Sequence, residues 1–404
     1  MNISIVGHTV SKNENTTFED INSAKIFSGK AAAVCYMSKP YNEIAKQPEE
    51  KILQRLERCK ISGHHSVMDH YWFTFLIEDC PKILAMFLNN EKEYATSEKS
   101  ARYTKMKTEG KEKELYEKWI NIFQKRILEA YPGKIEEKQA TKLAQENARY
   151  LISVFTPATT MLYSTSWRQI QYIMHWMKSF DIEKIFKNLA NDEWQTFGEK
   201  IKNVFNEFTN ELESLGFTEL NDGKNRNFSL ISNLAFQKEH FGITYNTSYI
   251  GTFSELAQLQ RHRTIYYSFY PIAKEKSNQF YIPEIIKETD IENEWIKDIE
   301  SLKDNFPQGM LINISERGNI ENFIQKCQER LCSRVQLETA KQTANTLERY
   351  YRSIVKDDEC SKEIIEMLNK FVDNKGNAKA RCESGFKCKE GCLFGPKNFT
   401  NRKV

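Results

Sequence analysis

The feature that most constrains this chain is a weak internal repetition. Asp69-His70-Tyr71 precedes the apolar run Trp72-Phe73-Thr74-Phe75-Leu76-Ile77, and Glu239-His240-Phe241 precedes Ile243-Thr244-Tyr245 and Ser248-Tyr249-Ile250. Gln169-Ile170-Gln171-Tyr172-Ile173 has a counterpart in Ile320-Glu321-Asn322-Phe323-Ile324. The pairs recur in the same order, displaced by about 150 to 170 positions, as a duplicated unit would be. The aromatic and β-branched runs read as strands, and the apolar residues between them recur at helical spacing. The expected fold is α+β: two diverged halves, each a small antiparallel sheet with long helices.

Composition fits two cores in water. The chain has 404 residues, 40% of them hydrophobic and 28% charged. Its longest charge-free stretch, the 18 residues from Tyr150 to Trp167, is broken by Pro157 and by hydroxyls such as Ser153, Thr156 and Ser164, so it reads as core and not as a membrane span. Met1 to Val6 reads as a first strand without the basic region, apolar run and cleavage site of an export signal. A net charge of +3 argues against a general nucleic-acid coat and leaves room for a local anion site. Nine cysteines, an odd number with no signal, point to reduced thiols and a cytoplasmic protein.

Helices are expected from Phe18 to Tyr36 after Thr16-Thr17, from Pro48 through Leu56, and over Glu112–Tyr131, Glu136–Val154, Trp167–Met177 and Asp181–Leu215. Asn221-Asp222-Gly223-Lys224-Asn225 is turn-rich and marks a boundary. The expected organisation is a first half over 1–215, a second over 228–355 and a Cys-rich tail over 356–404.

Four clusters carry chemistry. His64-His65-Ser66-Val67-Met68-Asp69-His70 holds three histidines ahead of a strand, which suits a metal or, more plainly, a polar loop in which His70 caps the strand entry. In Glu98-Lys99-Ser100-Ala101-Arg102-Tyr103 the small residues let backbone N–H groups approach an anion, and Arg102 supplies a planar donor fork; the plainer reading is a charged helix end. Gln258-Leu259-Gln260-Arg261-His262-Arg263 concentrates positive charge beside Ile265-Tyr266-Tyr267, as a pyrophosphate or an electron-rich ring would require, or as a solvated patch. Arg330 and Arg334 share a helix face, which is unfavourable unless an anion or the nearby Glu329 and Glu338 compensate.

Together these clusters resemble the flavin-dependent thymidylate synthases of the ThyX type. Gly63-His64-His65-Ser66-Val67-Met68-Asp69-His70 followed by Phe73-Thr74-Phe75 is similar to the family's opening segment, with Asp69 in place of its glutamate. The family's Gln-x-x-Arg-His-Arg and Glu-x-Ser-x-Arg-Tyr patterns both occur, in different halves. The first half has Glu98 to Tyr103 but carries Asn90-Glu91-Lys92 where the basic triplet belongs; the second has Gln258 to Arg263 but carries Pro271 where the serine belongs. Ala148-Arg149 resembles a further nucleotide contact, and Asn319, Arg330 and Gln336-Leu337-Glu338 resemble the family's late helix.

The resemblance implies methylation of dUMP to dTMP, with methylenetetrahydrofolate as carbon donor and FAD reduced by NADPH. It implies that Glu98, Ser100, Ala101, Arg102, Arg149, Gln258, Arg261 and Arg330 hold dUMP, with Arg330 also catalytic through ionisation of the pyrimidine. It implies FAD contacts from His64, Ser66, Asp69, Arg261, His262, Arg263, Thr264 and Asn319. No Pro-Cys pair supplies the nucleophile of the classical enzyme, in keeping with a flavin route. A dUMP hydroxymethylase and a non-catalytic nucleotide- or RNA-binding descendant are the alternative readings. Two fused units per chain imply a homodimer that rebuilds a four-unit assembly. Cys382, Cys388 and Cys392 sit among lysines that favour thiolates, a candidate zinc site with Cys360 as a possible fourth ligand.

Overall fold

The computed structural model describes residues 1–10, 21–101, 103–181, 192–221, 223, 226, 228–231, 238–272, 279–356, 362–388 and 392–404. Arg102, Cys360, Phe18, Thr16, Thr17 and part of the Asn221–Asn225 turn lie outside the described residues, as does the opening of the helix expected from Asp181. Packing divides the chain into two compact units, one of 1–99 with 157–228 and the other of 100–156 with 229–404. Among the described residues no helix is long and apolar enough to cross a membrane.

The first unit holds a four-stranded antiparallel sheet of β1 (Asn2–His8), β2 (Trp72–Cys80), β3 (Ala95–Glu98) and β4 (Thr159–Ser166), in the order β1-β2-β4-β3. The run read as a strand from its aromatic content is β2, with Phe73, Phe75 and Ile77 alternating inward. Phe73 and Phe75 meet Phe217 edge-on at 4.9 and 5.5 Å, which fastens the sheet to the chain leaving the long helix Asp192–Ser214. Helices α1 (Asn22–Tyr36) and α3 (Glu49–Ile61), with the short α2 (Tyr41–Ile44) between them, pack on each other and on the 3-10 turn His65–His70 that leads into β2. Gly29 permits that packing, because a Cβ there would stand 2.5 Å from the Ile52 carbonyl oxygen. The short α4 (Lys82–Leu88) follows β2, and Trp167–Lys178, designated α7, follows β4 with Ser166 as its cap, accepting from the Gln169 N–H.

The second unit opens with α5 (Gly110–Ala130) and α6 (Glu137–Ala148). The latter gives way to a 3-10 turn at Arg149–Leu151, so the helix expected to run to Val154 ends earlier. These helices precede β4 in sequence yet pack with the later half of the chain. Asp298 accepts from Trp119 Nε1 at 2.8 Å and pairs with Lys118 Nζ at 2.5 Å, while Trp119 meets Trp295 edge-on. Backbone bonds Gly309 N–H to Tyr150 O, Gln308 N–H to Ile152 O and Val154 N–H to Phe306 O extend the attachment. Asp192–Ser214, in the first unit, is α8, and the second unit continues through β5 (His240–Phe241), β6 (Thr244–Thr252), α9 (Phe253–Leu259), β7 (Tyr266–Tyr270), α10 (Glu292–Glu300), β8 (Leu311–Asn319), α11 (Ile320–Arg330), α12 (Leu337–Val355) and α13 (Lys362–Asn369). The two strands expected around Ile243–Tyr245 and Ser248–Ile250 are one continuous strand, β6.

Its sheet is again four-stranded and antiparallel, in the order β5-β6-β8-β7, the same first-second-fourth-third arrangement as in the first unit. Asn319 caps α11 as Ser166 caps α7, at the same strand-to-helix junction. Phe241, Tyr245, Phe323, Leu347 and Tyr350 form the core where α11, α12 and α13 cover this sheet.

Candidate active site

The two buried faces of the second unit bring together residues that the sequence separates widely. Arg149, buried in the 3-10 turn after α6, donates through Nη2 to Gln336 Oε1 at the head of α12. Gln336 Nε2 donates to the Tyr150 hydroxyl and, at 3.3 Å, to Glu338 Oε2. Tyr150 and Thr252 donate to the same carboxylate oxygen at 2.8 and 3.1 Å. Arg330, at the end of α11, donates to the Gln258 carbonyl at 3.3 Å. Arg149, Gln258 and Arg330 are thus all members of one compact unit, and each is fixed by a bond to the second-half scaffold. Arg149 Nε and Gln258 Nε2 are buried donors without a protein partner. Buried donors normally find acceptors, so these two atoms suit a ligand that offers oxygen.

In Arg261-His262-Arg263-Thr264 only His262 points inward; the other three are exposed. Burial, reinforced by the nearby Arg330 and Lys326 charges, holds the His262 imidazole down at about 2, so it is neutral at ordinary pH. Its Nε2 has no protein partner, and Glu329 at 3.8 Å from Nδ1 is beyond hydrogen-bond reach. Asn319 Oδ1 accepts its capping bond from the Asn322 N–H at 3.0 Å.

Behind these groups lies a buried ion pair that sequence reading overlooked. Lys326 and Glu316 meet at 2.6 Å with both side chains fully enclosed, and the hydroxyls of Tyr245 and Tyr249 donate to Glu316 at 2.7 and 2.8 Å. Lys326 lies four residues before Arg330, on the same helix face, so the pair anchors the face that presents the arginine. Tyr150 and Glu255 were overlooked too; the position of Tyr150 directly after Ala148-Arg149 was the available signal.

The Ser100 carbonyl accepts from the Tyr103 and Thr104 N–H groups at 3.1 Å, a tight turn that includes Ala101. Tyr103 in turn borders a cavity of about 590 Å³ within this unit, together with Lys142, Arg334, Phe394 and Arg402.

The remaining expected residues lie in the first unit. His64 and Ser66 are exposed beside the 3-10 turn His65–His70. His65 Nε2–H donates to Lys60 O at 2.9 Å, which leaves Nδ1 to accept from Tyr172 at 2.6 Å, so this histidine is structural. Asp69 receives Arg168 on both oxygens, at 2.9 and 2.7 Å, and Ser166 at 2.8 Å. Glu98 pairs with Lys82 at 2.6 Å.

Among the described residues no three His, Cys, Asp or Glu side chains are grouped to hold a metal. Cys382 lies within hydrogen-bonding reach of Cys388, and the Cys392 sulfur contacts Ser333 Oγ at 2.9 Å.

Comparison with known proteins places the sequence. Residues 22–200 match the family model described as thymidylate synthase complementing protein. A flavin-dependent thymidylate synthase of Thermococcus onnurineus (strain NA1) is 25% identical over 186 residues, spanning 43% of this chain and 72% of that protein. A solved structure of ThyX from Helicobacter pylori, complexed with FAD and dUMP, aligns over 53% of this chain and 99% of its own at 16% identity, with a TM-score of 0.27. Over residues 22–200 this chain is thus similar to the ThyX-type proteins.

Proposed function

We propose that the chain methylates dUMP to dTMP, taking the carbon from methylenetetrahydrofolate and using FAD and NADPH. The observation that carries this reading is the presence of Arg149, Gln258 and Arg330 in one unit, with Arg149 Nε and Gln258 Nε2 buried and partnerless. Arg149, Ser100, Ala101 and Arg102 hold the nucleotide phosphate, Gln258 and Arg261 orient the base, and Arg330 stabilises the ionised pyrimidine. The same strand order in both sheets supports descent from two fused ThyX-like units, and a homodimer then rebuilds a four-unit assembly.

His262 suits FAD: its buried, neutral ring offers one partnerless nitrogen, flanked by the exposed cations Arg261 and Arg263. Thr264 and Asn319 complete the proposed flavin contacts. When bound, FAD supplies the reducing equivalents that NADPH delivers. The protein's own part is to hold the nucleotide, keep cationic donors over developing negative charge and keep His262 unprotonated beside Arg330.

Turnover of dUMP with methylenetetrahydrofolate, FAD and NADPH, with product analysis by mass, tests the proposal. A methyl product supports it. A hydroxymethyl product, or no turnover and no flavin uptake, refutes it in favour of a modifying relative or a binding protein.

A further inference from the structure

Two buried carboxyl groups stand behind the proposed nucleotide arginine, and the reaction as described uses neither. Glu255, on α9, is 1% exposed and Glu338, on α12, is 8% exposed. The Glu255 carboxyl lies within hydrogen-bonding reach of Glu338 and has one oxygen, Oε1, without a partner. Its other oxygen rests against the backbone at Gly251, where a Cβ would stand 2.3 Å away. Thr252 joins the two, accepting from the Glu255 N–H at 2.9 Å and donating to Glu338 at 3.1 Å.

Among the described residues no cation bonds either carboxyl directly. Facing them are Arg149 and Tyr150 from the 3-10 turn, Tyr281, Tyr249 of β6, Tyr267 of β7, Glu316 of β8 and Lys326 of α11. Of the two cations, Lys326 is committed to Glu316, and Arg149 reaches Glu338 only through the Gln336 amide. Two adjacent carboxylates in such a place cannot both ionise. Burial pushes both upward, Glu338 to about 7 and Glu255 well above the ordinary carboxyl range.

We propose that Glu255 and Glu338 share a proton, and that ionised Glu338 is the positioning residue that orients the Gln336 amide and so aims Arg149 at its ligand. The argument runs through the amide. Gln336 can present its carbonyl to Arg149 only while its NH₂ group has acceptors on the other side, and Glu338 Oε2 and the Tyr150 hydroxyl are those acceptors. A second proton on the pair turns Glu338 into a donor, removes the reason for that orientation and lets the amide turn a donor toward the guanidinium. Arg149 then loses its fixed direction. This inference rests on the reading that Arg149 holds the nucleotide phosphate.

The test combines infrared spectroscopy of the nucleotide-free protein with calorimetric titration of dUMP across pH, for wild type, Glu255→Gln and Glu338→Gln. The wild type should show the carbonyl stretch of one buried neutral carboxyl group at about pH 8, lost in Glu255→Gln. Its dUMP affinity should fall about tenfold between about pH 8 and about pH 6, the effect of losing one charge-assisted contact. Glu338→Gln should bind as weakly as wild type at the lower pH, and its affinity should follow only the second phosphate ionisation near pH 6, which both proteins experience alike. Absence of the neutral-carboxyl band overturns the shared proton, and this arm needs no nucleotide. A Glu338→Gln protein with wild-type affinity and wild-type pH dependence overturns the positioning role. Failure of dUMP to bind at any pH contradicts the nucleotide reading and with it the aim of Arg149, while the infrared band still decides whether the dyad exists.

Discussion

The guanidinium of Arg149 donates to the side-chain carbonyl of Gln336, a residue 187 positions further along the chain. That bond joins a segment of the first sequence half to the helix that follows Arg330. It makes the proposed nucleotide residues of the two sequence halves parts of one unit, and it gives the first prediction. Arg149→Ala should weaken dUMP about tenfold to a hundredfold, the loss of about 1.5–3 kcal/mol from one charge-assisted contact, with FAD retained. Arg102→Ala and Arg330→Ala should weaken dUMP similarly, and Arg330→Ala should in addition lower kcat, because its role is exerted on the ionised ring. Calorimetry with dUMP and steady-state kinetics separate these outcomes.

The basic triplet should behave differently. Arg263→Ala should release FAD, measured by ultrafiltration and absorbance. Changing Asn90, Glu91 and Lys92 together to Ala should leave turnover within about twofold, because these residues sit in the first unit, away from the proposed basic triplet. Loss of activity in that triple variant would mean that the first half contributes a site of its own.

Much of this was legible before the structure. Strand β2 announced itself by alternating aromatics, and α5 and α7 by their apolar spacing, because these signals are local. What could not be read is the membership of 100–156 in the second unit. That depends on Trp119 against Trp295, on Asp298 between Lys118 and Trp119, and on backbone bonds from Tyr150 and Ile152, all of which are contacts of long sequence separation. The motif residues Arg149, Gln258 and Arg330 were found from their pattern. Glu255 was not, because one acidic residue in the first turn of a helix looks like ordinary helix chemistry until its burial is known.

The Lys326–Glu316 pair should matter more when broken than when removed. Lys326→Met leaves an enclosed carboxylate with two tyrosine hydroxyls and no cation, which should cost about 3–5 kcal/mol. The double variant Lys326→Met with Glu316→Leu should recover much of that loss. Denaturant unfolding of the two single variants and the double one closes the cycle; strict additivity would contradict the coupling.

Stability should depend on pH with opposite signs at two positions. His262 is held far below its unfolded value of about 6.5, so the folded state binds fewer protons and its contribution is lost as pH falls below about 6.5. Glu338 is raised to about 7 from an ordinary 4.5, so its contribution is present at low pH and lost as pH rises through that interval. His262→Gln should flatten the acid side of the stability profile, and Glu338→Gln the neutral side, in urea titrations at a series of pH values.

The most direct measurement is a flavin titration of the purified protein followed by its visible absorbance. One complete set of nucleotide and flavin residues per chain predicts one equivalent of FAD per 404-residue chain. Two equivalents would show that each half keeps its own site, and none would show that the chain has left flavin chemistry behind.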